Sequence, residues 1–260
     1  MSDNGWKVAG KGKGRWRHKP ALAQSLNREL TLEDLDKARD DILLLEKQLL
    51  SSSLWNSTKS ALSETLERFQ WDARELSFRA YGLGSFCRTR ESRRQIVFAK
   101  ALVAHLKILG DVFVFEPQFH EYDSILAKEL AFTASPLSDD ALFSAASPTL
   151  FFMPHCPRQL YNNVLQSNWK ATQLSNAMII GNKFSNYYLQ IRPRQMRSYL
   201  ETSEAIMEEK AIDVEYKTEW YNAFNDQAVI TFAKAASIPI DDPLWSFSPD
   251  PAAVSSTGCT

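Results

Sequence analysis

The segment MPHCPRQLYNNVLQSNW, Met153 to Trp169, puts a His, a Cys, two adjacent Asn and an Asn–Trp pair on and just after one apolar stretch. Ordinary packing does not ask for that mixture, so the segment reads as part of a site. His155 and Cys156 are the residue types of a thiolate nucleophile and its base. Those side chains must come within hydrogen-bond reach, and neighbours at a strand end usually diverge. With Cys87 and His120 the same two could hold a metal or haem, but no CxxC or HExxH spacing occurs. The plainer reading has His155 order its loop by hydrogen bonds while Cys156 packs as a small hydrophobe. Asn162 and Asn163 fall in the first turns of a following helix. One can satisfy loop backbone groups and the other can face a crevice. Trp169 reads as helix-end packing. No GxSxG, Walker lysine or paired-acid hydrolase pattern is present.

Two further groups carry chemistry. Gly82-Leu83-Gly84-Ser85 follows a short apolar run. Glycines there let the backbone approach a ligand, and a following helix start can offer N–H groups to an anion. Glu116, before Pro117, stands where a carboxylate binds ribose hydroxyls in nucleotide folds. Together they suggest an adenosine-containing ligand, S-adenosylmethionine or a dinucleotide. The same glycines also make a tight strand-to-helix turn, since GLGSF lacks the third glycine of the dinucleotide motif.

The elements that must position these residues alternate from residue 75 onward. ELSFRAY, DVFVF, FTA, TLFFM, NAMII and QAVITFAKA read as strands, the last expected antiparallel at an edge. RRQIVFAKALVAHLKIL, FHEYDSILAKEL, PRQLYNNVLQSNW and the polar RQMRSYLETSEAIMEEK read as helices. Such alternation implies an α/β fold: a Rossmann-like, mostly parallel sheet with helices on both faces. Ligands of such sheets sit at the carboxyl ends of the strands. Gly82–Ser85, Glu116, His155–Cys156 and Gly181-Asn182 should therefore share one edge.

Ahead of the sheet, 31–70 is a helical extension. Thr31 and Asp34 form a capping box, and Leu32, Leu35, Ile42, Leu45 and Leu49 make one stripe. A second helix sets Leu62, Leu66 and Phe69 on one face. Residues 1–30 are a basic tail, 71–236 the α/β domain and 237–260 a flexible C-terminal tail. In the basic tail, Lys7 to Lys19 has no acid, and Trp6 and Trp16 could stack on bases. That stretch reads as a solvated tail or as a weak nucleic-acid or nuclear-targeting patch.

A net charge of −1 argues against wholesale binding of nucleic acid or membrane. The apolar runs ILLL, LFFM and AMII are too short to span a bilayer. Three cysteines and no apolar leader point to a reducing compartment, cytoplasm and nucleus.

Gly82-Leu83-Gly84-Ser85-Phe86, FVFEPQF, FFMPHCPRQLYNNVLQSNW and MIIGNKFSNY together resemble the sensitivity-to-red-light-reduced family, the SRR-like domain. The similarity covers roughly residues 75–190, with FNDQAVITFA echoing the family's last strand. Gly82, Gly84, Ser85, Glu116, Pro117, His155, Cys156, Tyr161, Asn162, Asn163, Asn168, Trp169, Gly181 and Asn182 match its motif. Two departures stand out: Glu116-Pro117 replaces the usual Asp-Pro, and the family's Asn-Glu near the third strand is missing from FTASPLSDDA. The resemblance implies a regulator with unidentified protein partners. Plant members are linked to light signalling and the circadian clock. Animal members are linked to clock-gene expression and haem metabolism, and a fungal member to microtubule function. The family brings no established reaction and so no catalytic residues. The expected ligand-binding residues are Gly82, Gly84, Ser85, Glu116, His155, Cys156, Asn162, Asn163, Gly181 and Asn182, with no metal. The alternative is a methyltransferase-like enzyme, or a degenerate relative of one, using S-adenosylmethionine or a nucleotide.

Overall fold

The computed structural model describes residues 28–69, 71–72, 75–135, 140–188 and 198–249. The basic stretch 7–19 lies outside the described residues. The first helix, α1 (Leu32–Leu50), opens as the sequence predicts. The Thr31 side chain accepts the Asp34 N–H, and the Asp34 carboxylate accepts the Thr31 N–H at 2.9 Å. Its buried stripe is Leu35, Ala38, Ile42, Leu45 and Leu49. Leu32, counted into that stripe from its spacing, is 66% exposed because it precedes the turn that meets the domain. Helix α2 (Ser53–Phe69) buries Leu54, Trp55, Ala61 and Leu62. The hairpin rests on the domain's own helices, α3 (Arg90–Leu106) and α4 (Glu121–Glu129).

Seven strands form one sheet: β1 (Ser77–Tyr81), β2 (Val112–Phe115), β3 (Thr133–Ser135), β4 (Thr149–Met153), β5 (Ala177–Asn182), β6 (Glu208–Ala211) and β7 (Gln227–Thr231). Their order is β3-β2-β1-β4-β5-β7-β6. The first five are parallel, and β7 runs antiparallel to both β5 and β6. Strand β4 is buried along its whole length, as TLFFM suggests for a central strand covered on both faces. Phe78, Ala80, Leu150, Phe152 and Ile180 face α1 to α4. Tyr81, Phe115, Phe151, Met153 and Ile179 face the other layer. That layer holds α5 (Arg158–Ser167), α6 (Ala171–Ser175), α7 (Ser185–Tyr188) and α8 (Tyr199–Thr202).

Three expectations are corrected here. The helix expected over RQMRSYLETSEAIMEEK is, in its described part, the single turn α8, a 3-10 turn and then strand β6. Strand β6 reads Glu-Glu-Lys-Ala, and such charge is how an exposed edge resists pairing with another chain. Because β6 takes the edge, β7 lies inside the sheet. Helix α5 also stops at Ser167, before Asn168 and Trp169. Trp169 packs at the helix end as expected, against Tyr199, Trp245 and Phe247, and its indole N–H donates to the Leu244 carbonyl at 2.8 Å. Among the described residues no helix is long and apolar enough to cross a membrane.

Candidate functional site

Strand order reverses between β1 and β4, so the loops after these two strands flank the place where doubly wound sheets open for a ligand. Here the two loops press together. Cys156 fills the gap, its thiol donating to the Tyr81 carbonyl at 3.2 Å. A Cβ on Gly82, already at φ +68°, would stand 2.9 Å from that sulfur. Gly84 is also left-handed, at φ +70°, and its N–H donates to Glu116 Oε2 at 2.8 Å. Glu116 Oε1 accepts the Gln118 N–H at 2.9 Å. The carboxylate expected at a ribose thus ties the glycine turn to β2, and it is only 5% exposed. Thr89 caps α3 by accepting the Ser92 N–H, which uses one of the helix-start donors expected to be free after the turn.

At the end of β4, His155 is held at φ +54°. A non-glycine residue there costs about 1–2 kcal/mol, and the surroundings must over-determine it. They do so through Asn182. Its Oδ1 accepts the His155 N–H at 2.9 Å and the Gln227 amide at 3.0 Å. Its Nδ2 donates to the Cys156 carbonyl and to the Tyr187 hydroxyl. The Tyr161 hydroxyl bridges the same two strands, accepting the Asn182 N–H at 2.9 Å and donating to the Met153 carbonyl. Gly181 is needed because a Cβ would lie 2.8 Å from the Tyr161 ring. His155 keeps an exposed position on this frame. Although the residue as a whole is open to solvent, the protein packed around its ring lowers its pKa, and the backbone of Ala223 and Asn222 and the charge of Asp226 only partly offset that.

The groups considered for nucleophile or metal chemistry fall into two sets, His155 with Cys156 after β4, and Cys87 with His120 around Asp123, whose carboxylate accepts both of their backbone N–H groups. Burial pushes the Cys156 and Cys87 thiols up to about 12, so neither forms a thiolate near neutral pH. The Cys87 backbone N–H donates to Asp123 at 2.9 Å. His120 caps α4 by accepting the Tyr122 N–H. Among the described residues no three His, Cys, Asp or Glu side chains are grouped to hold a metal ion.

Helix α5 supplies the rest. Asn163 accepts from Gln159 and donates to the Asp140 carbonyl, each at 2.8 Å. Asn168 accepts the Ala145 N–H at 2.6 Å and donates to the Phe143 and Val164 carbonyls. Asn162 is 3% exposed, yet neither atom of its amide has a partner. One turn earlier, Arg158 Nη2 donates to Ser198 at 3.1 Å and Glu201 at 2.6 Å, while Nη1 is buried and unpartnered. Eight buried side-chain atoms make no hydrogen bond among the described residues, and one of them, Arg93 Nε, is ion-paired with Asp41 at 3.1 Å. Five of them, Ser85 Oγ, Arg158 Nη1, both Asn162 atoms and Gln227 Oε1, belong to this edge and the first turns of α5. Arg158 and Gln227 escaped the sequence reading, as did Arg79, which is buried on β1 with its guanidinium 3.6 Å from the Phe143 ring centre. A glutamate and a serine near position 200 gave no sign, in one dimension, that Arg158 would meet them.

Comparison with known proteins gives this architecture relatives. An SRR1-like protein of Drosophila melanogaster is 32% identical over 169 residues, 64% of this chain and 58% of that protein. An SRR1-like protein of Mus musculus is 32% identical over 158 residues, 60% of this chain and 62% of that protein. The Arabidopsis thaliana Protein SENSITIVITY TO RED LIGHT REDUCED 1 is 28% identical over 208 residues, 73% of this chain and 76% of that protein. The chain thus spans less than two thirds of the fly and mouse relatives. No solved structure matches. The SRR1 domain is matched over residues 48–231, from the end of α1 through β7 and therefore across the whole sheet and its polar edge, so this chain belongs to the SRR1 domain family.

Proposed function

We propose that this SRR1-family chain is a regulatory protein of the cytoplasm and nucleus, acting in clock-linked or haem-linked gene expression by binding at the carboxyl edge of its sheet. What it binds there is a small ligand or a segment of a protein partner. The observation that carries the reading is the unmet hydrogen-bonding capacity of Ser85, Arg158, Asn162 and Gln227 at one edge. A buried polar atom left without a partner costs about 1–3 kcal/mol, and native proteins keep few of them. In this reading Gly82, Gly84, Glu116, Cys156, Asn163, Gly181 and Asn182 build the frame, while Ser85, His155 and Asn162 remain for the bound species. The name of the Arabidopsis relative, which refers to red-light sensitivity, supports a regulatory role.

A nucleotide- or S-adenosylmethionine-using enzyme is the second reading, favoured by the reversal of strand order beside a GxG turn. It requires Cys156 and the Glu116–Gly84 bond to give way. A thermal-shift titration against S-adenosylmethionine, S-adenosylhomocysteine, NAD, ATP and haemin separates the two, with Glu116→Ala and His155→Ala alongside. At about 100 times Kd a specific ligand adds about 2.7 kcal/mol of apparent stability. A shift with an adenosine compound that Glu116→Ala abolishes selects the enzyme. A shift that only His155→Ala abolishes selects ligand sensing. Absence of any shift leaves a protein partner, to be sought by crosslinking from position 155. Crosslinks indistinguishable from those of a distant surface position would sink the edge as the binding site.

A further inference from the structure

Arg158 and Asn162 are one turn apart on α5, the spacing at which side chains on a helix are neighbours. Between them they hold three buried hydrogen-bonding atoms without partners: Arg158 Nη1, Asn162 Nδ2 and Asn162 Oδ1. The first two donate and the third accepts. Glu201 already neutralises Arg158 at 2.6 Å, and both side chains are nearly buried, so the place has little net charge to offer an anion. A carboxylate or phosphate would in any case leave Asn162 Oδ1 unmet, because it brings only acceptors. The missing partner must present an acceptor beside a donor.

We propose that Arg158 and Asn162 form the recognition pocket of the edge site, and that its ligand carries a neutral amide-like edge, a C=O or ring nitrogen next to an N–H. A carboxamide oxygen accepts from both Arg158 Nη1 and Asn162 Nδ2 while its N–H donates to Asn162 Oδ1. A purine edge offers the same pair of groups. The Arg158 bonds to Ser198 and Glu201 hold the start of α8 against α5 and stay made when the ligand is bound, which keeps the pocket neutral. This inference rests on the edge-binding reading and narrows it to one ligand chemistry.

The test uses the full chain and three probes in thermal-shift titrations: nicotinamide for a carboxamide, adenosine for a purine edge, and nicotinate as the acceptor-only control. At about ten times Kd a bound probe raises the melting temperature by about 3–6 °C. Nicotinamide or adenosine, whichever has the matching source, gives that shift, and nicotinate gives none. Asn162→Leu, nearly the same shape, abolishes the shift and raises the melting temperature of the free protein by about 2–6 °C, because it removes two unmet polar atoms. The proposal is overturned if neither nicotinamide nor adenosine binds, if nicotinate binds as well as nicotinamide, or if Asn162→Leu lowers the melting temperature or prevents folding. A ligand whose binding depends on His155 or Glu116 but survives Asn162→Leu overturns this pocket alone and leaves the edge reading standing.

Discussion

The two ends of α5 use the same residue types and finish in opposite states. At the C-terminal end Asn168 makes three side-chain bonds to backbone groups that no helix or strand satisfies. Asn163 reaches the Asp140 carbonyl of a neighbouring loop. Near the N-terminal end the Asn162 amide and Arg158 Nη1 are buried with no hydrogen bond among the described residues. A buried asparagine is structural where a loop comes to it. Where none does, its amide is left over. That distinction separates frame from pocket along one helix, and it is open to measurement.

The largest effect belongs to the saturated end. Asn168→Ala strands the Ala145 N–H and two carbonyls in the interior, and should cost roughly 3–5 kcal/mol in urea unfolding. A cost below about 1 kcal/mol would mean those groups find other partners, and the contrast between the two ends would dissolve. Next comes the bridge across β4 and β5. Tyr161→Phe removes the hydroxyl shared by Met153 and Asn182 and should cost about 1–3 kcal/mol. Gly181→Ala pushes a methyl into the same ring and should cost a similar amount, about 1–3 kcal/mol. The two substitutions act on one contact, so their double variant should fall short of additive, which a double-mutant cycle reads directly.

Much of this was legible in one dimension because apolar pattern and turn chemistry agreed. TLFFM lies between Pro148 and Pro154 and became β4 to the residue. Thr31 and Asp34 capped α1 as read. Strand β6 was not legible because Glu-Glu-Lys carries no apolar period, and its place is fixed by the β7 backbone. Gathering the strand ends onto one edge followed from topology. Their division of labour did not, since it depends on partners far along the chain: Glu116 with Gly84, Asn182 with His155, Arg158 with Glu201. Arg79 was passed over because an arginine on a strand ordinarily reads as solvent-facing. The phenylalanines at positions 113 and 115, alternating on the adjacent strand, were the available signal.

Asn162→Leu should move stability the other way, raising it by roughly 1–2 kcal/mol with an unchanged denaturant slope. Its sign matters more than its size. Asn163→Leu, one residue on, removes two made bonds and should destabilise. Equal signs for this adjacent pair would remove the boundary between frame and pocket.

The smallest effect concerns His155, the exposed member of the edge. Its folded pKa lies below the ordinary value of 6.5, chiefly through burial of the ring, while Asp226 and the backbone of Ala223 and Asn222 pull the other way. The unfolded chain therefore binds the proton more readily. Stability from this group is fully present above the unfolded value and is lost as pH falls from there through the folded pKa. His105 is shifted in the same direction by burial and by Lys59, so it adds to the slope without belonging to the edge. His155→Asn should flatten only part of the fall in urea midpoint between about pH 7 and 5. The imidazole resonances of the intact protein should titrate below the usual histidine range for both residues. A His155 that titrates above it would mean that Asp226 outweighs burial, making the edge cationic at neutral pH and turning its preference from neutral ligands toward anions.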